Sequence, residues 1–200
     1  MSEAAPSRSL ILEFREERRA MADGYSFLDE KCLLLAGEIL RELERFEALR
    51  ERLLLESEAA TAALAAAITQ HGLEELECHP PADLSEVKLV ANVRMLMGVK
   101  LLTATYSAAA PLPAGLIRSR QVELCATAFQ AVLATAATLG AVAANLERLA
   151  AEYRRAIRRA RALHDVLLPE LDGKLVELET RLEDLEREDA IAMRLGARAA

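Results

Sequence analysis

The sequence predicts an all-α protein: a long antiparallel two-helix coiled coil of N- and C-terminal helices, with a small middle insertion containing a β-hairpin. Three observations carry this. Of 200 residues, 52% are apolar but only 4% aromatic, and the apolar content is mostly Ala and Leu, the composition of helices packed on helices. With 8 glycines and 6 prolines, the chain lacks the turn residues an all-β or α/β domain of this size needs. Apolar residues recur at alternating spacings of three and four near both ends, and that rhythm changes in the middle.

The N-terminal helix is expected over 7–71, beginning where Pro6 and Ser7 offer capping chemistry. Its seam steps through Phe14, Arg18, Met21, Tyr25, Leu28, Cys32, Leu35, Ile39, Glu42, Phe46, Leu49, Leu53, Glu56 and Ala60. A narrow seam held over about six heptads is that of a coiled coil, and such a helix would be roughly 90 Å long.

The middle insertion is expected over 72–117. Gly72 and the Pro80-Pro81 pair break the helix, and "SEVKLVANVRMLMGVKLLTATYS" then alternates in part. A hairpin over 86–106 follows, turning near Met97 and Gly98. Pro111, Pro113 and Gly115 close the insertion.

The C-terminal helix is expected over 118–196, kinked near 169. Leu168, Leu171, Leu175, Leu178, Leu182 and Leu185 form its seam, which extends upstream through His164, Ile157, Tyr153 and Leu146 with a shift of register near Ala160. Pro169 removes a backbone hydrogen bond and crowds the carbonyl four residues back, at about 3 kcal/mol. Because the leucines continue through it, it reads as a bend rather than a stop. The whole of 1–200 is thus expected as a single elongated domain.

Charge suggests an offset for the pair. If residues whose numbers sum to about 200–210 face one another, the run Arg154, Arg155, Arg158, Arg159, Arg161 lies opposite Glu38, Glu42, Glu44, Glu47 and Glu51. Pro169 then faces Ala36 and Gly37.

A formal net charge of −7 gives no global case for nucleic acid or an anionic membrane as partner. Cys32, Cys78 and Cys125 are odd in number and widely spaced, and read as reduced thiols. The N-terminus lacks an apolar core of signal-peptide length. From Leu124 to Leu146 the chain is uncharged over a length that could cross a bilayer. It is rich in Ala and Thr, however, and holds Gln130 and Asn145, so a buried soluble helix is the preferred reading.

Other clusters read structurally. His71, Cys78 and His79 lack a fourth ligand at metal-site spacing and read as loop residues. The acids of "ELETRLEDLERED" read as solvated flanks of the leucine seam, with Arg181 and Arg187 as local partners. The arginine run has no interleaved aromatics beyond Tyr153, which argues against nucleic acid; some of its members facing outward to a partner protein is a further reading. No phosphate loop of the GxxxxGK[ST] type occurs, so no cofactor or bound nucleotide is expected.

Three stretches, in order, carry a resemblance. Near the N-terminus these are Pro6, Ser7, Arg8 and then Gly24, Phe27, Leu28 and Lys31. In the insertion it is "NVRMLMGVKL". Near the C-terminus they are Arg158, Arg159, Ala162, Leu163, Val166, Leu167, Leu168, Pro169 and Leu171, then Leu182, Glu186, Arg187 and Glu188. Together they resemble the D subunit of the rotary V/A-type ATPases along nearly the whole chain. Arg161, His164 and Cys32 depart from the family's usual residues, and the tail "AIAMRLGARAA" is less basic.

The resemblance implies a non-catalytic central rotor stalk. It would carry torque between a catalytic hexamer, where ATP is made or hydrolysed, and a membrane ring that moves ions. It implies as partners the F subunit, the catalytic and non-catalytic head subunits and a socket subunit above the ring, with no membrane insertion of its own and a cytoplasmic, peripheral location. The expected partner contacts are Arg158 and Arg159, Gly98 at the hairpin turn, and Met193, Arg194 and Leu195 in the last turns. A free-standing antiparallel coiled-coil scaffold or chaperone-like protein is the alternative; a protein spanning a membrane through 124–146 is a third.

Overall fold

A computed structural model describes residues 7–77, 88–107 and 119–199. Helix α1 runs Arg8–Glu77, strands β1 (Lys88–Leu96) and β2 (Val99–Ser107) form an antiparallel hairpin, and α2 spans Arg120–Ala162. A π-helical turn, Leu163–Leu167, joins α2 to α3, Leu168–Ala199.

The heptad seam read from the sequence is the packed face of α1. From Phe14 to Ala60 every seam residue except Arg18 is buried or half-buried, and the rhythm continues through Ala63 and Ala67 to His71. Burial of one narrow stripe, rather than helix propensity, holds such a helix. Gly72 sits at φ 72°, ψ 165° inside α1, a conformation reserved for glycine, so the break expected there is local and α1 resumes to Glu77.

The chain divides into two compact units. The first joins the residues up to Leu34 with those from Tyr153 onward. Here α1 runs antiparallel to α3, with Arg8 on Glu186 at 2.8 Å, Arg15 on Glu179 at 2.6 Å, and Arg18 on Asp172. Ile11, Cys32, Ala156, Ala160, Leu171 and Leu175 form its buried positions. The second unit, Leu35–Glu152, pairs α1 with α2 and carries the hairpin. Its core holds Leu35, Ala60, Ala67, Leu101, Ala141, Val142 and Leu149.

The offset differs from the expectation. Partners in the first unit have numbers that sum to 190–194, and in the second His71 meets Ser119 and Asn145 meets Glu42. A sum near 190 replaces 200–210. At that offset Arg158, Arg159 and Arg161 no longer fall opposite the Glu38–Glu51 series, and Pro169 falls opposite the region of Met21 rather than Ala36 and Gly37. The physical reason is that exposed ion pairs contribute only about 0–1 kcal/mol. Matching charges cannot choose an offset against the packing of buried seam positions.

The register shift expected near Ala160 has a structural cause. Seam positions step by three or four up to Leu163, and the next is Leu168. The amide of Leu168 donates to the carbonyl of Leu163, five residues back, so the π turn adds one residue to the seam. It lies immediately before Pro169. The extra residue opens the turn into which the proline ring would press, and α3 restarts with Pro169 in its first turn, where a missing N–H costs least. The helix does not end at Leu168.

The hairpin closes on Leu96 and Val99 through Met97 at φ 47° and Gly98 at φ 84°, a two-residue turn with both central residues left-handed. Such turns match strand twist and favour Asn-Gly. Gly98→Ala is expected to destabilise the hairpin by about 1 kcal/mol, and Met97→Asn to stabilise it by less. Hydrogen exchange of the strand amides should register both, with helicity by circular dichroism unchanged.

The apolar stretch 124–146 gives a further difference. A helix containing it is long and apolar enough to cross a membrane, with a mean hydropathy of 1.5 over an 18-residue window. Only 17% of that window is buried, so the expectation of a buried helix does not hold in the isolated chain. One face packs on α1 and the other is left uncovered.

Candidate partner-binding surfaces

Three kinds of surface meet the residues singled out from sequence. The first is basic. Arg158, Arg159 and Arg161 lie in the last turns of α2, all exposed, and none forms an ion pair or hydrogen bond among the described residues. Arg154 and Arg155, one turn earlier, do have partners. So the run splits: its first two members are engaged, and its last three present guanidinium groups to solvent beside the π turn.

Next along the chain, His164 stacks on Tyr25 with ring centroids 5.0 Å apart and bonds Asp165 at 2.7 Å.

The second surface is the end of α3. Met193 and Leu195 are 73% and 63% exposed, with Ile191 and Arg194 beside them. Arg158 and Met193 are some 35 helical residues apart, roughly 50 Å of helix, so these form two sites and not one. The acids between them are used locally as the sequence suggested: Glu177 pairs with Arg181 at 2.7 Å, and Glu183 and Asp184 both pair with Arg187 at 2.9 Å.

The third surface belongs to the second unit. Leu54, Leu55, Leu64 and Ile68 of α1 and Leu124, Phe129 and Leu133 of α2 are exposed. Leu89, Val90, Val93 and Met95 are exposed on β1, and Gly98 lies at its tip. Apolar exposure on this scale marks a surface for interaction with protein or membrane.

Beneath the hairpin the chain buries two carboxylates on α1. Glu38 is 3% exposed and takes Arg41 at 2.8 Å and Arg94 of β1; Glu42 is 2% exposed and takes Arg45 at 2.8 Å and Asn145 at 3.5 Å. Buried charges persist only when paired in this way. These contacts were not legible in the sequence, where Glu42 appeared as a polar interruption of the seam. Its i, i+4 spacing from Glu38 was the available signal.

The reactive groups are structurally occupied. Burial, then Asp29, push the Cys32 thiol up, against a smaller pull from Lys31; burial alone pushes Cys125 up. Both thiols are held protonated, unlike a nucleophilic cysteine. His71 bonds the Ser119 hydroxyl at 2.7 Å and approaches Glu75 at 3.4 Å, while Cys78 and His79 lie outside the described residues. Among the described residues no group of three or more His, Cys, Asp or Glu is placed to hold a metal.

Among the described residues Glu56 is the one carboxyl held below its ordinary range, first by the Thr135 hydroxyl and then by Arg52, whose Nε is 2.7 Å from Oε1. Its Oε2 is buried with no hydrogen bond of good geometry, so Thr135 acts on it as a nearby dipole. A depressed folded value means the stabilisation is complete above the unfolded value, roughly 4.3, and is lost as pH falls through the folded one. Glu56→Gln should therefore melt below the parent at neutral pH, and that gap should close under acid, as read by melting temperature against pH.

Helices paired along a seam, an inserted hairpin, and exposed apolar and basic faces define the class: a mainly helical protein with surfaces suited to binding partners. The chain belongs to the family of the ATP synthase D subunit: the model of that family matches residues 11–195. It is 23% identical over 194 residues to the V-type ATP synthase D subunit of Thermotoga neapolitana, covering 95% of each chain. It is 29% identical over 210 aligned residues to the V-type ATP synthase D subunit of Anaeromyxobacter dehalogenans, covering 97% of this chain and 95% of that one. To the A-type ATP synthase D subunit of Methanosphaera stadtmanae it is 24% identical over 188 residues, covering 92% and 88%.

Proposed function

We propose that this chain is the central rotor stalk of a V/A-type ATP synthase or ATPase, carrying torque between the catalytic head and the membrane ion-translocating ring. The observation that carries the reading is the family match across residues 11–195, on a chain whose helices pair along a regular seam. Torque transmission needs paired helices that resist twisting and asks for no reactive group on the shaft. ATP chemistry then belongs to the head subunits, and the chain works in the cytoplasm, peripheral to the membrane.

The surfaces divide the partners. The exposed apolar faces of α1 and α2 in the second unit suit the F subunit and the socket subunit. Met193, Arg194 and Leu195 suit the head cavity, and Gly98 presents the hairpin tip to the complex. Arg158 and Arg159, exposed and without a partner among the described residues, suit acidic groups on the head subunits.

Coexpression with the F subunit and head subunits of the same source tests the reading; a stable complex should copurify, and its absence would sink it. In that complex Arg158→Glu with Arg159→Glu should weaken association with the head roughly tenfold or more at low salt, an effect that shrinks as salt rises. The isolated chain's melting temperature should hardly move, because these exposed arginines form no ion pair or hydrogen bond among the described residues.

A further inference from the structure

A two-stranded hairpin is marginal in water unless it packs on something, and this one packs sparingly. On β1 no described side chain is buried; on β2 only Val99, Leu101 and Ala104 are. Beneath it opens a cavity of about 610 Å³, bordered by Glu38, Glu42, Arg94, Leu101, Thr138 and Asn145. Apolar contact at core density, where voids larger than a water are few, is confined to those three side chains.

What does reach it is a side-chain amide. Leu102 stands opposite Val93, at a position of the ladder where both backbone groups point away from β1. The Leu102 amide donates to Oδ1 of Asn145 at 2.7 Å, and Nδ2 of Asn145 donates to the Leu102 carbonyl at 2.8 Å. This is the pair of bonds a third strand would make with β2. Asn145 is 3% exposed, and its amide is steadied by Nδ2 on Glu42 and by Arg148 on Oδ1, each at 3.5 Å. No other polar residue could supply both a donor and an acceptor at this reach except the longer Gln. Among the described residues the hairpin is otherwise tied to the helices by Arg94 on Glu38 and a long bond, 3.5 Å, from Thr138 to the Ala104 carbonyl.

We propose that Asn145 is the latch of the hairpin: it stands in for a missing strand, and the hairpin opens from α1 and α2 as a unit when those two bonds are lost, while the helices stay paired. A latch made of two directional bonds beside an open groove opens exposing little apolar surface beyond Val99, Leu101 and Ala104. An element docked by burial would not.

Ala104→Cys, a small change at a position 5% exposed, reports hairpin opening by its rate of thiol labelling. Native Cys32, buried in the other unit, reports unfolding that reaches beyond the second unit in the same molecule, with Cys78 and Cys125 replaced by Ser. In Asn145→Ala, labelling at position 104 should accelerate roughly tenfold or more, as loss of two buried hydrogen bonds predicts, with Cys32 unchanged. Asn145→Leu, which fills the space and offers no bond, should behave the same way. The latch is overturned if labelling at 104 does not change, if both cysteines accelerate together, or if Leu restores slow labelling, since packing would then be what holds the hairpin.

Discussion

Leu149→Ala is expected to destabilise the second unit by about 3 kcal/mol, within the roughly 2–5 kcal/mol span of buried Leu truncations. Leu149 and Leu35 are the largest side chains with no exposed surface, and Leu35→Ala should cost a similar amount. The surroundings explain why neither site can collapse to heal the cavity. Its other buried apolar positions are largely alanine, as at Ala60, Ala67 and Ala141, and short side chains have no rotamer with which to fill space. Leu55→Ala, at a position 62% exposed, should change stability by no more than about 0.5 kcal/mol. Denaturant titration of the three variants separates these outcomes. A loss under about 1 kcal/mol at both buried leucines, well short of the buried-Leu range, would mean the seam is not what stabilises the pair.

Removal of residues from Met193 onward should have the opposite profile: little effect on the chain, a large one on coupling. Met193 and Leu195 are among its most exposed apolar side chains, so their loss should cost the isolated chain under about 1 kcal/mol. In the assembled complex the truncation should reduce seating in the head several-fold and uncouple ATP turnover from ion movement, with F retained. ATPase rate, ion transport in vesicles and copurification of F read the three quantities separately. Equal loss of F and of coupling would place this end of α3 elsewhere.

Much of this fold is legible in the sequence because it rests on local rules. Alternating spacings of three and four from Phe14 to Ala60 mark the buried stripe of α1. Gly98 after Met97 marks the turn, since two successive left-handed residues favour glycine, and the crowded acids near the C-terminus mark solvated flanks with Arg181 and Arg187 among them. The step in the leucine seam near Ala160 is visible too, although a π turn at Leu163–Leu167 cannot be told from any other one-residue slip by spacing alone.

The candidate surfaces are half legible. Arg158 and Arg159 stand out as charge. Whether they are paired depends on the offset of two helices, and repeating seams accept several offsets at nearly equal cost. Asn145 appeared only as a polar residue in an apolar stretch, because its partners are backbone atoms of a residue 43 positions away, and backbone atoms leave no trace in a pattern of side chains.

The sequence by itself determines the helices, their seam, the hairpin turn and the family, all of which follow from residue type at short spacing. Tertiary structure alone decides three things: the offset of the pair, the burial of Glu38 and Glu42 under the hairpin, and which arginines are left for a partner. The reason is one of range. Periodicity and turn chemistry act over a few residues, whereas offset and burial are set by packing between segments as far apart as Glu42 and Asn145, 103 positions along the chain, where the charges along the surface are too weakly coupled to decide.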